Sequence, residues 1–91
     1  VTAAQLKPPE CASLDLTNYI VISGNAAIHG TEGNDLIIGS TGKDNIHAGG
    51  GDDCIVGGGG GDQFFGDAGN DVCIGTGDSR DKFHDCEVVV P

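Results

Sequence analysis

The stretch "GGGDDCIVGGGGGDQFFGDAGNDVCIG", residues 49 to 75, decides the fold. Glycine crowds it, yet isoleucine, valine and phenylalanine return at fixed intervals, and aspartates recur with no base among them. Each glycine costs backbone entropy on folding, so an unphased run of this composition reads as a flexible linker. The phasing argues against that. From residue 30 the chain divides into blocks of nine: GTEGNDLII, GSTGKDNIH, AGGGDDCIV, GGGGGDQFF and GDAGNDVCI. The fourth place is always glycine (Gly33, Gly42, Gly51, Gly60, Gly69) and the sixth always aspartate (Asp35, Asp44, Asp53, Asp62, Asp71). The eighth is always a residue of buried type: Ile37, Ile46, Ile55, Phe64, Cys73.

Degenerate blocks flank the series. In "GTGDSRDKF", residues 75 to 83, the Asp-x-apolar ending returns one place late as Asp81 and Phe83. "VISGNAAIH", residues 21 to 29, keeps Gly24 and Ile28 but carries Ala26 in place of aspartate. Atypical end repeats are expected where they cap a stack. Within a block, glycines at places one and four permit the positive φ of a tight turn. The short segment around place eight alternates as a strand does. No helical period competes in residues 24 to 84.

Composition sets the outer bounds. Ninety-one residues make one domain, marginal without covalent or metal staples. Fourteen acids against four bases give a formal charge of −10, which repels nucleic acid and anionic membranes and attracts cations. Cys11, Cys54, Cys73 and Cys86 form no CxxC pair, so two disulfides in an exported protein are the better reading than zinc or free thiols. The sequence has no methionine, which reads as a processed product or a fragment. No apolar run reaches the roughly 18 residues of a membrane span.

The nonads resemble the RTX family, the calcium-binding repeats of secreted bacterial toxins, proteases and lipases, over residues 21 to 86. The resemblance implies an all-β fold, a right-handed parallel β-roll in which each nonad is a six-residue turn and a three-residue strand, two nonads completing a coil. Residues eighteen apart then stack. Loop aspartates fall into two columns on opposite edges, Asp35, Asp53, Asp71 and Asp44, Asp62, Asp81. Carboxylates stacked at roughly 4.8 Å repel in a partly dry site, and a hard divalent cation reverses the sign. Calcium, with 6–8 oxygen ligands in forgiving geometry, suits carboxylates joined by backbone carbonyls of Gly33, Gly42, Gly51, Gly60 and Gly69. Three or four Ca2+ ions are expected between consecutive column members, cancelling roughly six to eight negative charges. Asn34, Asp52 and Asn70, at place five, are expected to face solvent, and Asp67 and Asp78 to be surface charge.

The same stacking sorts the strands into two sheets with unlike outer faces. One presents Leu36, Ile38, Cys54, Val56, Val72 and Ile74, all apolar. The other presents mostly polar residues, among them His29, His47 and His84, interrupted by Phe65, expected as an exposed ladder. Soluble monomers seldom leave an apolar face bare. An N-terminal extended arm, residues 1–20, is expected to cover it, in its own molecule or a neighbour, with Cys11 bonded to Cys54 and Cys73 to Cys86. The roll proper spans 21–87, and 88–91 form a strand-like tail able to add to its own sheet or another. Leu36, Ile38, Val56, Val72 and Ile74 are then an interface, between arm and roll or between copies.

No nucleophile–base constellation stands out, so the sequence does not read as an enzyme. The favoured reading is a secreted, extracellular or cell-surface calcium-binding structural module, self-associating head to tail into a fibre or surface layer. The alternative is a C-terminal calcium-dependent folding and secretion domain of a larger RTX toxin, protease or lipase.

Overall fold

A computed structural model describes residues 8–11, 14–21, 27–39, 42–43, 45–75 and 81–90. Among the described residues nine strands alternate between two parallel sheets. Strands β1 (Asn18–Val21), β3 (Asp35–Ile38), β5 (Cys54–Val56), β7 (Val72–Ile74) and β9 (Val88–Val90) form a five-stranded sheet in that order. Strands β2 (Ala27–His29), β4 (Asn45–His47), β6 (Gln63–Phe65) and β8 (Lys82–His84) form a four-stranded one. This is the parallel roll that the nonads imply. Among the described residues no helix is long and apolar enough to cross a membrane.

The register is set by the repeat. Leu36 pairs with Cys54 and Cys54 with Val72, each eighteen residues on. The late aspartate of the sixth block is absorbed before β8, because Gln63 pairs with Lys82, nineteen residues away. Both ends of the five-stranded sheet are shorter in step. Asn18 pairs with Asp35, and Val72 with Val88. The roll thus starts at Asn18, inside the segment expected as arm, and the VVV tail adds in parallel to its own sheet. Gly24 and Ala26 of the degenerate first block lie outside the described residues, as does Pro91.

Period-two alternation separates two cores. Between the sheets lie Ile28, Ile37, Ile46, Ala48, Ile55, Phe64 and Cys73, with Ile20, Phe83 and Cys86 at its margins. Phe64 and Phe83 stack there at 4.8 Å. The second core lies outside the five-stranded sheet. There Cys11, Leu14 and Leu16 pack on Leu36, Cys54, Val72 and Ile74, with Ile38, Val56 and Val90 partly buried against them. Disulfides join Cys11 to Cys54 within the outer core and Cys73 to Cys86 at the inner one. Closing loops of 43 and 13 residues, each restricts the unfolded chain by roughly 3–4 kcal/mol on the chain-entropy view. On the outer face of the four-stranded sheet His29, His47, Phe65 and His84 stack ring on ring, with centroids 5.2, 4.4 and 4.7 Å apart.

The glycines divide by task, and not as the sequence suggests. Within the full nonads positive φ occurs at places two and four: Gly49, Gly58 and Asp67 at the former, Gly51, Gly60 and Gly69 at the latter. Place-one glycines lie outside that region and are small because the next coil presses on them; a side chain on Gly66 would meet the Asp85 carbonyl oxygen. Gly69 combines both demands, with φ of 94° and the Gly51 carbonyl oxygen where a Cβ would sit. Gly33 has neither, its nearest neighbour being Asn18 Nδ2 at 3.4 Å. Gly69→Ala is therefore expected to cost about 2 kcal/mol or more and Gly33→Ala under about 0.5, compared by urea unfolding at one calcium concentration.

Candidate metal centre

Turns at residues 30–35, 48–53, 66–71 and 85–87 carry the chain from the four-stranded to the five-stranded sheet along one edge of the roll. Among the described residues, the turn at 57–62 returns it along the other. Asp35, Asp53, Asp62 and Asp71 stand at the junction of turn and strand, each two residues before a buried inward side chain. The carboxylates are consequently drawn inward: Asp35, Asp53, Asp62 and Asp71 are all 0% exposed, and Asp81 is partly buried. Asp44 lies outside the described residues.

Within a column, the carboxylate of one coil caps the backbone of the coil before it. Asp35 N–H donates to Asp53 Oδ1 (2.8 Å), Asp53 N–H to Asp71 Oδ1 (2.9 Å) and, on the other edge, Asp62 N–H to Asp81 Oδ1 (2.8 Å). One oxygen of each pair is used in this way. The other oxygen, Oδ2 of Asp53 and of Asp71, is buried without a hydrogen-bond partner. Asp35 differs, because Thr31 donates to its carboxylate from both N–H (2.7 Å) and Oγ1 (2.9 Å).

An ionised oxygen buried without donors is costly. The acids respond accordingly. Desolvation by burial, with the neighbouring Asp71 and Asp35 charges, outweighs the hydrogen bond from Asp35 and pushes Asp53 up to about 8. Asp71 is pushed up to about 7, again chiefly by burial, with the Glu87 and Asp52 charges adding to it. A divalent cation supplies what these oxygens lack. The donors are all oxygen, as calcium prefers, and offer neither thiolate nor imidazole for a softer metal. Among the described residues no three His, Cys, Asp or Glu side chains converge on one point, so carboxylates alone do not complete a shell. Backbone carbonyls must contribute. Of the expected carbonyl glycines, Gly51, Gly60 and Gly69 hold the left-handed turn, Gly33 donates its N–H to Thr31 Oγ1 (3.1 Å), and Gly42 is partly buried.

Two features escaped the reading of the sequence. The place-five residues do not merely face water: they build a second ladder running the opposite way. Asp52 N–H donates to Asn34 Oδ1 (2.7 Å) and Asn70 N–H to Asp52 Oδ1 (2.8 Å), while Asn34 Nδ2 reaches the Asp15 carbonyl (2.9 Å). Their recurrence as Asn, Asp, Asn every eighteen residues was the signal. Glu87 is the other. Asp71 N–H donates to Glu87 Oε1 (2.8 Å), so a glutamate takes the aspartate's place at the end of the column. A carboxylate directly before Val88–Val90 repeats the turn-to-strand pattern in shortened form. Asp67 accepts from Gly49 N–H (3.2 Å) across the coil and is exposed; Asp78 lies outside the described residues.

The burial of Asp53 and Asp71 fixes the sign of a pH effect. With their folded values raised, the native state holds protons between about pH 4 and 8 that the unfolded state has released. Without a cation, stability therefore falls as pH rises through that window. The urea midpoint in chelator is expected to be higher at pH 5 than at pH 8. In saturating calcium the trend reverses, since protons compete with the ion for the same oxygens.

The family comparison agrees with this geometry. The sequence profile of the RTX calcium-binding nonapeptide repeat (4 copies) matches residues 22–55, 29–64 and 55–79, together well over half of the chain. No curated protein matches the chain, and no solved structure does. With its nonads in register, its loop carboxylates in columns and that profile spanning 22–79, the chain belongs to the RTX calcium-binding nonapeptide-repeat family.

Proposed function

We propose that this chain is a secreted, calcium-loaded structural module whose copies associate head to tail through the ends of the five-stranded sheet. Ions lie between consecutive column aspartates: Asp35 and Asp53, Asp53 and Asp71, Asp44 and Asp62, and Asp62 and Asp81. Two disulfides fit an oxidising, extracellular setting.

One observation carries the assembly. Four large hydrophobic residues stand out among those described, Tyr19 (44% exposed), Val21 (63%), Val88 (49%) and Val89 (42%). Tyr19 and Val21 lie on β1 and Val88 and Val89 on β9, the two open edges of one parallel sheet. Unpaired edge strands bearing apolar side chains favour pairing with another chain. Joining β9 of one copy to β1 of the next is a heterologous contact that continues a parallel sheet without closing it. The broad apolar face is a weaker candidate for contact, because Cys11, Leu14 and Leu16 already cover Leu36, Val72 and Ile74.

Calcium should drive both folding and assembly. Circular dichroism of the reduced protein is expected to lose its β signal in EDTA and regain it cooperatively at roughly 0.1–1 mM calcium. With the disulfides intact, loss in EDTA is expected to be smaller. Sedimentation velocity should show calcium-dependent growth in mass that Val88→Lys/Val89→Lys abolishes. A protein that binds calcium but stays monomeric at high concentration would leave a calcium-dependent folding domain of a larger protein as the better reading.

Ion counting ranks the carboxylates. Asp53 is shared between two sites, so Asp53→Asn, which preserves the cap on Asp35 N–H, is expected to release two ions. Asp52→Asn, which preserves the cap on Asn70 N–H, should release none. Equal stoichiometry in these two variants refutes the column.

A further inference from the structure

We propose that the shortened last turn forms an additional cation site, with Glu87 and Asp71 as its carboxylates and the Asp85 carbonyl as a third oxygen donor. The inference rests on calcium binding along the column and extends it to residues outside the repeat, since the matched profile ends at residue 79.

The last turn, residues 85–87, does in three residues what 66–71 does in six. Asp85 takes place one, where Gly66 N–H bonds the carbonyl of His84 just before it (2.9 Å). Its φ of 57° tightens the bend, a conformation that aspartate tolerates better than most residues. Cys86, in the middle, is tied to Cys73 on β7, and Glu87 follows at the aspartate's place. Glu87 N–H and Val88 N–H both donate to the Asp71 carbonyl (3.1 Å each), so the turn is held against Asp71 from three sides.

The feature that points to a ligand is Asp71 itself. It is 0% exposed, and its Oδ2 has no hydrogen-bond partner. That oxygen lies 2.9 Å from where a Cβ on Gly66 would stand, and the Asp85 carbonyl oxygen lies closer still to the same point. Gly66 thus leaves open a cradle faced by two oxygens. Glu87 adds a second negative charge beside Asp71, in a chain with four bases in all. A cleft of about 310 Å³ lined by Asp52, Asn70, Asp71, Glu87 and Val88 brings water to the exposed Glu87 beside the buried Asp71. Two carboxylates, a carbonyl and waters match the oxygen set of calcium better than the stricter shell of magnesium. Glu87 here has two tasks that separate cleanly: its Oε1 caps Asp71 N–H, which a glutamine oxygen can also do, and its charge holds the cation, which a glutamine cannot.

The test counts calcium bound to the full-length oxidised chain by native mass spectrometry across a calcium titration. Glu87→Gln is expected to bind one ion fewer than the unaltered protein, with its β signal in calcium retained. Glu32→Gln, which removes one charge from an exposed turn position, is expected to bind the full number. Equal counts and equal midpoints for Glu87→Gln and the unaltered chain overturn the proposal while leaving the column sites standing. No calcium bound by the unaltered chain overturns both. If Glu87→Gln fails to fold, the carboxyl-carbon NMR signal of Glu87 in the unaltered protein decides: it should shift with calcium to saturation, and a signal that never moves overturns the site.

Discussion

Asp53, Asp71 and Asp81 each hold the coil before them with one carboxylate oxygen, and Asp53 and Asp71 bury the other with nothing to bond. The two halves of that arrangement pull in opposite directions. The capped N–H groups, which would otherwise be orphaned at the turn-to-strand junction, lock one coil onto the next. The uncapped oxygens bring negative charge into a dry edge, and in a small domain the net stability is only a few kcal/mol. A cation between coils removes the conflict without disturbing the caps. Under the proposed calcium binding, metal and fold become one problem, and the glycine-rich turns bring the carboxylates of successive coils into one column.

Strands and turns divide the remaining work. The strands are three or four residues long, too short to hold register by backbone pairing alone, so the inward column of Ile37, Ile55 and Cys73 facing Ile46 and Phe64 supplies the packing. The outer core depends on a segment that carries no repeat. Cys11, Leu14 and Leu16 convert an apolar face, which would otherwise invite association, into interior. Among the described residues, the exposed large hydrophobics lie on the edge strands β1 and β9.

The column is also asymmetric along its length. At its N-terminal end Asp35 receives the Thr31 N–H and hydroxyl, donors that quiet the carboxylate without metal. At its C-terminal end Asp71 caps Asp53 N–H with one oxygen and has another acid, Glu87, on its far side. Demand for positive charge is thus greater at Asp53 and Asp71 than at Asp35. Asn18, opposite Asp35 in the sheet, continues the column at the N-terminal end without charge. The two ends of the roll are finished by different chemistry, neutral hydrogen bonding at one and paired carboxylates with a disulfide at the other.

The nine-residue phase by itself determined the glycine turns, the short strands and the inward residues. The RTX resemblance it carries implied the parallel roll of two nonads per coil, and with it the two sheets and the aspartate columns, because a solenoid makes each residue's neighbours a function of its place in the repeat. The apolar outer face was legible for the same reason. Where the period broke, tertiary structure decided. Asn18–Val21 joins the sheet seventeen residues before β3, and Glu87 closes the column sixteen after Asp71; neither spacing follows from the repeat, and both are chosen by which strand edge is open and which N–H is uncapped. The place-five ladder was written in the eighteen-residue recurrence of Asn34, Asp52 and Asn70, but only the folded turn reveals that their side chains lie along the coil axis. The glycines show the limit most clearly. Sequence marks places one and four alike, yet one is small to let the next coil approach and the other to bend left-handed, a distinction between space and dihedral that exists only once the coils are stacked.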